Sequence, residues 1–341
     1  MNLVPLEVIF YLVIGISVIM YTVLDGFDLG VGALHLFTKK DDYRRVFLNA
    51  IGPVWDGNEV WLVVIVGALF AGFPSAYASL LSGFYVLNMV LIACLIFRAV
   101  AIEFRSKQSS QRWRDTWDVV FSVASILIGF CIGVIMGNLI TGVPLTKEGD
   151  FVASFGSFFG PYQILVGITS VALFMMHGSI FLIMKTEGKL HYSLRKWAMR
   201  SIIFFVLCYG LSTFATIMFQ PHMVERMTGW PYQIVVLCAV LLIANIPREI
   251  YKGNDGYAFI SSSLAIALLV VIFGIGTFPN LIRSTIDPAQ LSLTIYDASS
   301  SLLTLKILMT IVLIGVPLVL AYGFYIYKVF RGKVRIGPMS Y

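Results

Sequence analysis

The chain has 341 residues, 59% of them hydrophobic and only 12% charged, and its mean hydropathy is +0.89. A soluble domain of this length does not have that composition, so the class is an all-α, polytopic membrane protein. The net charge of +6 therefore carries no nucleic-acid signal; what matters is how Lys and Arg are shared between loops.

Nine apolar runs are long enough to span a bilayer: 5–37, 50–72, 77–102, 117–140, 161–184, 198–219, 230–246, 257–278 and 303–328. The first is long enough to tilt or to project past the bilayer. Met1 to Thr38 contains no Lys or Arg, so no cleaved signal peptide is expected and the first run stays as a helix. Lys39, Lys40, Arg44 and Arg45 separate runs one and two. Arg105, Lys107, Arg112 and Arg114 separate three and four. Lys185, Lys189, Arg195, Lys196 and Arg200 follow run five, Arg248 and Lys252 follow run seven, and Lys328, Arg331, Lys333 and Arg335 end the chain. The alternate loops hold only Lys147, Arg226 and Arg283. This asymmetry predicts an outside N-terminus and a cytoplasmic C-terminus.

The loops from Thr141 to Gly160 and from Pro279 to Leu302 are the longest on the outside, and neither is apolar enough to form a domain. The whole chain, 1–341, thus reads as one membrane domain. Pro161-Tyr162-Gln163-Ile164 echoes Pro231-Tyr232-Gln233-Ile234 at the start of two inward-running helices. The echo fits two four-helix bundles, runs one to four over 5–140 and five to eight over 161–278, with a peripheral ninth helix over 303–328. Gly129, Gly133 and Gly137 form a GxxxGxxxG ridge on the fourth run, which is a helix-packing signal and carries no chemistry.

With orientation set, depth follows. Asp25 and Asp28 fall in the inner part of run one, and Asp56 and Glu59 one or two turns into run two. Arg98 and then Glu103 reach the same level on run three, and Asp118 opens run four. Four consecutive runs thus bring ionisable groups to one cytoplasmic-side layer. The centre of that layer is Trp55-Asp56-Gly57-Asn58-Glu59-Val60-Trp61. Asp56 and Glu59 share a helix face, Asn58 lies about 100° from Glu59, and Trp55 and Trp61 flank the group. Acids in a first helical turn also suit its dipole, Asp118 included, and Arg98 could snorkel. Their shared depth favours a polar network, with Asp25, Asp56, Glu59 and Asp118 as proton-transfer candidates and Arg98 as compensating charge. No relay continues outward, so the layer resembles a cytoplasmic half-channel.

Among the 4 histidines, only His177 lies deep in a span, and no pair sits at haem-ligand spacing. It is read first as a hydrogen-bonded core residue and remains the lone histidine candidate for a metal; the 13 methionines leave methionine ligation open. Cys94, Cys131, Cys208 and Cys238 lie in apolar runs without CxxC spacing and read as small core residues.

Several uncommon motifs recur in order: Leu24-Asp25-Gly26-Phe27-Asp28-Leu29-Gly30-Val31-Gly32, the Trp55–Trp61 stretch, Ser82-Gly83-Phe84-Tyr85, Phe97-Arg98, Phe104-Arg105-Ser106-Lys107, and Arg112-Trp113-Arg114 through Trp117-Asp118. Gly137-Asn138-Leu139-Ile140-Thr141-Gly142-Val143-Pro144 completes the set. Together they resemble subunit II of the cytochrome bd-type quinol oxidases. The resemblance is dense over the first 145 residues and mainly topological beyond, where Lys185-Thr186-Glu187-Gly188-Lys189-Leu190-His191 is a further match. It implies a multi-pass subunit in the bacterial cytoplasmic membrane, part of a terminal oxidase that oxidises quinol and reduces dioxygen to water. It also implies haem b and haem d held by subunit I, cytoplasmic proton supply by subunit II and, in some members, a structural quinone or single-helix accessory subunits. Roles carry over to Asp25, Asp56 and Arg98, and more loosely to Trp55, Glu59 and Asp118. Two other readings stand beside it: a proton-coupled secondary transporter, for which buried acids also suffice, and a scaffold with silent acids.

Overall fold

In a computed structural model, residues 4–335 and 337 are described; the outermost ends of the 1–341 assignment lie outside them. Lipid offers no hydrogen-bond partner to the backbone, so an apolar chain of this kind crosses it as helices. Among the described residues nine helices are long and apolar enough to cross a membrane. In chain order they are α1 (Leu6–Leu34), α3 (Trp55–Gly72), α5 (Tyr85–Phe104), α6 (Gln111–Thr141), α7 (Pro161–Lys185), α8 (Gly188–Phe219), α10 (Trp230–Lys252), α11 (Asp255–Thr277) and α12 (Leu302–Val329). Three shorter helices lie between them: α2 (Asp41–Ile51), α4 (Pro74–Gly83) and α9 (Pro221–Glu225).

Two boundaries differ from the sequence expectation. The run 50–72 starts inside α2, and the chain breaks at Gly52–Val54 before α3 begins. Gly52 still donates to Leu48 O at 2.7 Å, and Pro53, which lacks an N–H, cannot continue the ladder. α2 is instead a short amphipathic helix that buries Phe47, Leu48, Ala50 and Ile51 and leaves its acids at the polar end. The run 77–102 is divided at Phe84, where α4 ends and α5 starts. Phe84 turns into an aromatic cluster with Phe151 and Phe158, at ring separations of 5.1 and 5.0 Å. Composition is apolar on both sides of that break, so hydropathy does not register it.

α1 is the axis of the molecule. It packs against α3, α6, α7, α11 and α12, while α7 packs against α1, α6, α8 and α11. Glycine makes the closest of these contacts possible. A methyl on Gly30 would meet the Phe174 backbone and lie 2.9 Å from Gly178 Cα, so α1 and α7 touch backbone to backbone. Gly133 of the predicted ridge would place a methyl 2.7 Å from Gly167 Cα, and Gly129 and Gly137 face Phe174 and Gln163; the ridge therefore lies along the α6–α7 contact. α12 is the helix least buried by the rest of the chain.

The two long loops are joined. Val143 N–H donates to Arg283 O at 2.9 Å and Thr285 N–H to Val143 O at 3.0 Å. A short hairpin, β1 (Asn280–Ile282) and β2 (Leu293–Thr294), completes a cap over buried Val143, Leu145, Phe158, Ile282 and Ile295. At the opposite end the tail folds back: Val334 N–H donates to Lys185 O at 2.8 Å and Lys185 Nζ donates to Phe330 O at 2.8 Å.

Candidate functional site

The charged groups at the helix ends expected to face the cytoplasm form two clusters rather than one layer. The first is built on α1. Asp25 and Asp28, three residues apart, share a face of the helix, and both are fully buried. Arg98 reaches Asp25 from α5 with both terminal nitrogens: Nη1 donates to Oδ2 at 3.0 Å and Nη2 donates to Oδ1. Such a fork-to-carboxylate pair is the strong form of ion pair, and the guanidinium stays charged at any working pH. Arg98 Nη2 also lies 3.5 Å from Glu59 Oε2 of α3, whose side chain is 22% exposed. Glu59 is thus the edge where this buried cluster meets the surface.

Asp28 is held from the other side. Asn58 Nδ2 donates to Asp28 Oδ2 at 2.7 Å, and Tyr327 of α12 donates its hydroxyl to Asn58 Oδ1 at 2.8 Å. Asn58 Nδ2 also donates to Leu24 O at 3.3 Å, and because a carbonyl can only accept, this fixes the donor end of the amide toward Asp28. Three buried polar atoms of this neighbourhood have no partner among the protein groups described: Tyr21 Oη, Asp28 Oδ1 and Arg98 Nε. Buried polar groups are seldom left so, and the usual remedy is water. A cavity of about 310 Å³ opens at the inner end beneath Tyr327, lined by Pro53, Val54, Lys185, Arg331 and Lys333 among others.

Asp118 belongs elsewhere. It accepts from Arg105 Nε at 2.6 Å, from Arg44 Nη1 at 2.9 Å and from His35 Nε2 at 2.5 Å. Arg105 continues to Asp41 at 2.6 Å, and Arg114 reaches the other Asp41 oxygen at 3.3 Å. This is a closed ionic lock joining the ends of α1 and α5 to α2 and α6. Asp118 already has two arginines, so its geometry is that of a fixed anion and not of a free carrier. The sequence grouped it with Asp25 by depth alone; the azimuth of α6 turns it to His35 instead.

Asp56 stands apart again. It is exposed on the first turn of α3, and no ion pair or hydrogen bond of its side chain is described. Trp61 is buried and Trp55 half-buried, so the two rings fix α3 while Asp56 between them faces outward. Glu103 is half-buried at the inner end of α5.

Sequence reasoning missed four contributors: His35, Arg105, Tyr327, and Asp28 as the partner of Asn58. Asp28 had a usable signal, its three-residue spacing from Asp25. Tyr327 had none, because a peripheral helix gives no reason to expect a polar anchor at its inner end.

His177, the deep histidine, is not free to ligate a haem in this arrangement. His177 has both ring nitrogens engaged, Nδ1 with Ser262 Oγ at 2.8 Å and Nε2 donating to Val23 O at 3.0 Å, and its ring stacks on Phe259. His35 is committed to Asp118, while His191 and His222 bond to backbone carbonyls. Among the described residues no three His, Cys, Asp or Glu side chains converge as a metal-binding group.

Comparison with known proteins gives a concordant result. A family model described as cytochrome bd terminal oxidase subunit II matches residues 6–330. The chain is 32% identical over 362 aligned residues to the cytochrome bd-I ubiquinol oxidase subunit 2 of Escherichia coli, covering 96% of this chain and 95% of that one. It is 33% identical over 339 residues to the cytochrome bd ubiquinol oxidase subunit 2 of Bacillus subtilis, covering 98% of each. Its fold is similar to a chain of the bd oxidase of Geobacillus thermodenitrificans, with a TM-score of 0.79 at 18% identity over 95% of this chain and 98% of that one.

Proposed function

Since the chain belongs to the cytochrome bd terminal oxidase subunit II family, we propose that it is the proton-supplying half of a quinol-oxidising, dioxygen-reducing complex in a bacterial cytoplasmic membrane. Membership implies a subunit I partner and haem in the complex. The proposal adds that the haems b and d are held by subunit I, in keeping with four histidines that are all otherwise engaged. Dioxygen reduction consumes protons at a site in the partner, so a half-channel from the cytoplasm is sufficient in this chain.

One observation carries the reading: Asp25 and Glu59 contact the guanidinium of Arg98, and Asp28 lies beside them bonded to Asn58, so one described cation faces three carboxyl groups in a cluster that ends at the protein surface. The excess carboxyls are groups that can hold exchangeable protons. Water in the cavity below Tyr327 would supply them, and Glu59 and Asp56 would hand them across the exposed faces of α3 and α5. Those faces carry Val63 at 70%, Ile96 at 58% and Phe97 at 54% exposure. Such contiguous apolar surface around a polar outlet suits a subunit interface, and we assign it to subunit I. The division into two four-helix bundles, α1–α6 and α7–α11 with α12 outside them, is part of the same proposal, with α1–α7 and α6–α7 as the seam between them. A transporter is less well supported, because the acids stop at the inner half.

Two tests follow. In the purified complex, oxygen uptake driven by quinol should accompany a reduced-minus-oxidised haem spectrum, and the separated chain should retain no stoichiometric haem. One equivalent of haem kept by this chain, and lost on His177→Ala, would overturn the assignment to subunit I. Reporter fusions after Lys107 and after Lys147 should report the cytoplasm and the outside, respectively. The same side for both would remove the orientation on which cytoplasmic proton uptake depends.

A further inference from the structure

Among the described residues, an apolar groove of about 360 Å³ lies between α6, α7, α8 and α11. It exists because α8 packs on α7 and α10 on α11, while α8 and α10 barely meet. Phe174, Phe205, Tyr209, Leu269 and Phe273 are among its walls. The groove is not sealed at its loop end. Ile140 and Met223 line both it and a small recess formed by His222, Arg226, Thr277, Asn280 and Arg283.

That recess gathers two of the three basic residues found in the loops of this end, Arg226 and Arg283, the third being Lys147. Arg226 is exposed and Arg283 half-buried, and neither side chain has an ion pair or hydrogen bond described. Glu225 adjoins Arg226 in sequence, and no salt bridge between it and either arginine is described. His222 Nε2 donates to Ile140 O at 2.9 Å, and burial, reinforced by the Arg283 and Arg226 charges against the opposing Ile140 bond and Glu225, holds its pKa below the usual histidine range. The helix ends Thr141 and Thr277 and the strand β1 bring this charge to the depth where an apolar span meets its headgroup layer.

We propose that groove and recess together bind one anionic glycerophospholipid, its phosphate on Arg226 and Arg283 and one acyl chain laid between α7, α8 and α11. Two unpaired guanidinium groups at the mouth of an apolar slot fit a lipid phosphate, which accepts charged hydrogen bonds while its tail removes the slot from lipid-exposed vacancy. A quinone fits less well. Its head is uncharged, and several groove hydroxyls are already paired with each other: Thr169 with Ser212 at 2.7 Å and Tyr162 with Thr216 at 2.8 Å.

The test uses the complete oxidase complex, delipidated in detergent, with bound lipid counted by native mass spectrometry. Dioleoylphosphatidylglycerol should be retained at one equivalent more in the unmodified complex than in Arg226→Gln/Arg283→Gln, whose apparent affinity should fall tenfold or more. Thr213→Trp, which fills the groove and leaves the arginines in place, should lose the same equivalent. Equal retention in both variants would overturn the proposal, as would equal binding of dioleoylphosphatidylcholine. Displacement by millimolar inorganic phosphate would reduce the site to a headgroup-only anion site, and one-for-one displacement by quinone would make it a quinone site; either overturns it.

Discussion

Arg98→Met should leave little assembled oxidase in the membrane. The substitution keeps most of the side-chain volume and removes the only charge that faces Asp25, itself fully buried. Breaking a buried ion pair from one side costs ~3–5 kcal/mol, because the remaining charge has neither water nor partner. A membrane protein domain with marginal stability cannot lose that and accumulate normally. The cost should fall when the orphan is neutralised as well. Arg98→Met/Asp25→Asn should recover most of the lost complex, a coupling that a double-mutant cycle measures directly. The readout is the yield of co-purified subunits and the thermal midpoint of the complex in detergent. Wild-type yield for Arg98→Met alone, or no recovery in the double variant, would mean that the pair is not what holds α5 to α1.

The ionic lock around Asp118 differs in kind. Arg44, Arg105 and His35 all point at it, so its charge is met several times over, whereas the Asp25–Asp28–Glu59 group has one cation for three acids. That contrast is the ground on which we propose the first as a fastening and the second as the proton site. Both clusters use the same residue types at the same depth, and only side-chain direction tells them apart.

This explains how much was legible from the sequence. The spans follow from hydropathy and from the demand that every backbone group in lipid be bonded within the chain, so all nine were readable. The Asp25–Arg98 pair was readable too, since orientation put both at one depth and Arg98 was the single basic residue inside a span there. Direction around a helix axis was not. Placing Asp118 beside His35, or Asn58 between Asp28 and Tyr327, requires knowing how α6 and α12 are rotated, and apolar sequences on nearly all sides of these helices leave the rotation unmarked. The break at Phe84 was hidden for a related reason: it is set by rings from residues 151 and 158, more than sixty positions away in the chain.

Asp56→Asn should lower quinol-driven oxygen uptake about tenfold while haem content and subunit association stay normal, which corresponds to ~1.4 kcal/mol on the limiting step. The amide keeps the shape of the carboxylate and can still accept a hydrogen bond, but it has no exchangeable carboxyl proton. Asp56 lies on the exposed first turn of α3 without a described partner, so no ion pair within the chain is lost and a fall in turnover reports transfer, not folding. Asp28→Asn should behave alike, for the oxygen the amide keeps can still accept from Asn58. Asp25→Asn should lose turnover and some assembly together, since Arg98 would then retain only Glu59 at 3.5 Å. Glu103→Gln, at the inner end of the same helix as Arg98, should leave turnover unchanged. The decisive measurement is oxygen consumption with quinol in excess, taken beside the haem spectrum of the same preparation. Full turnover in Asp25→Asn, Asp28→Asn and Asp56→Asn, each with a normal spectrum, would make the acids structural and this subunit a scaffold.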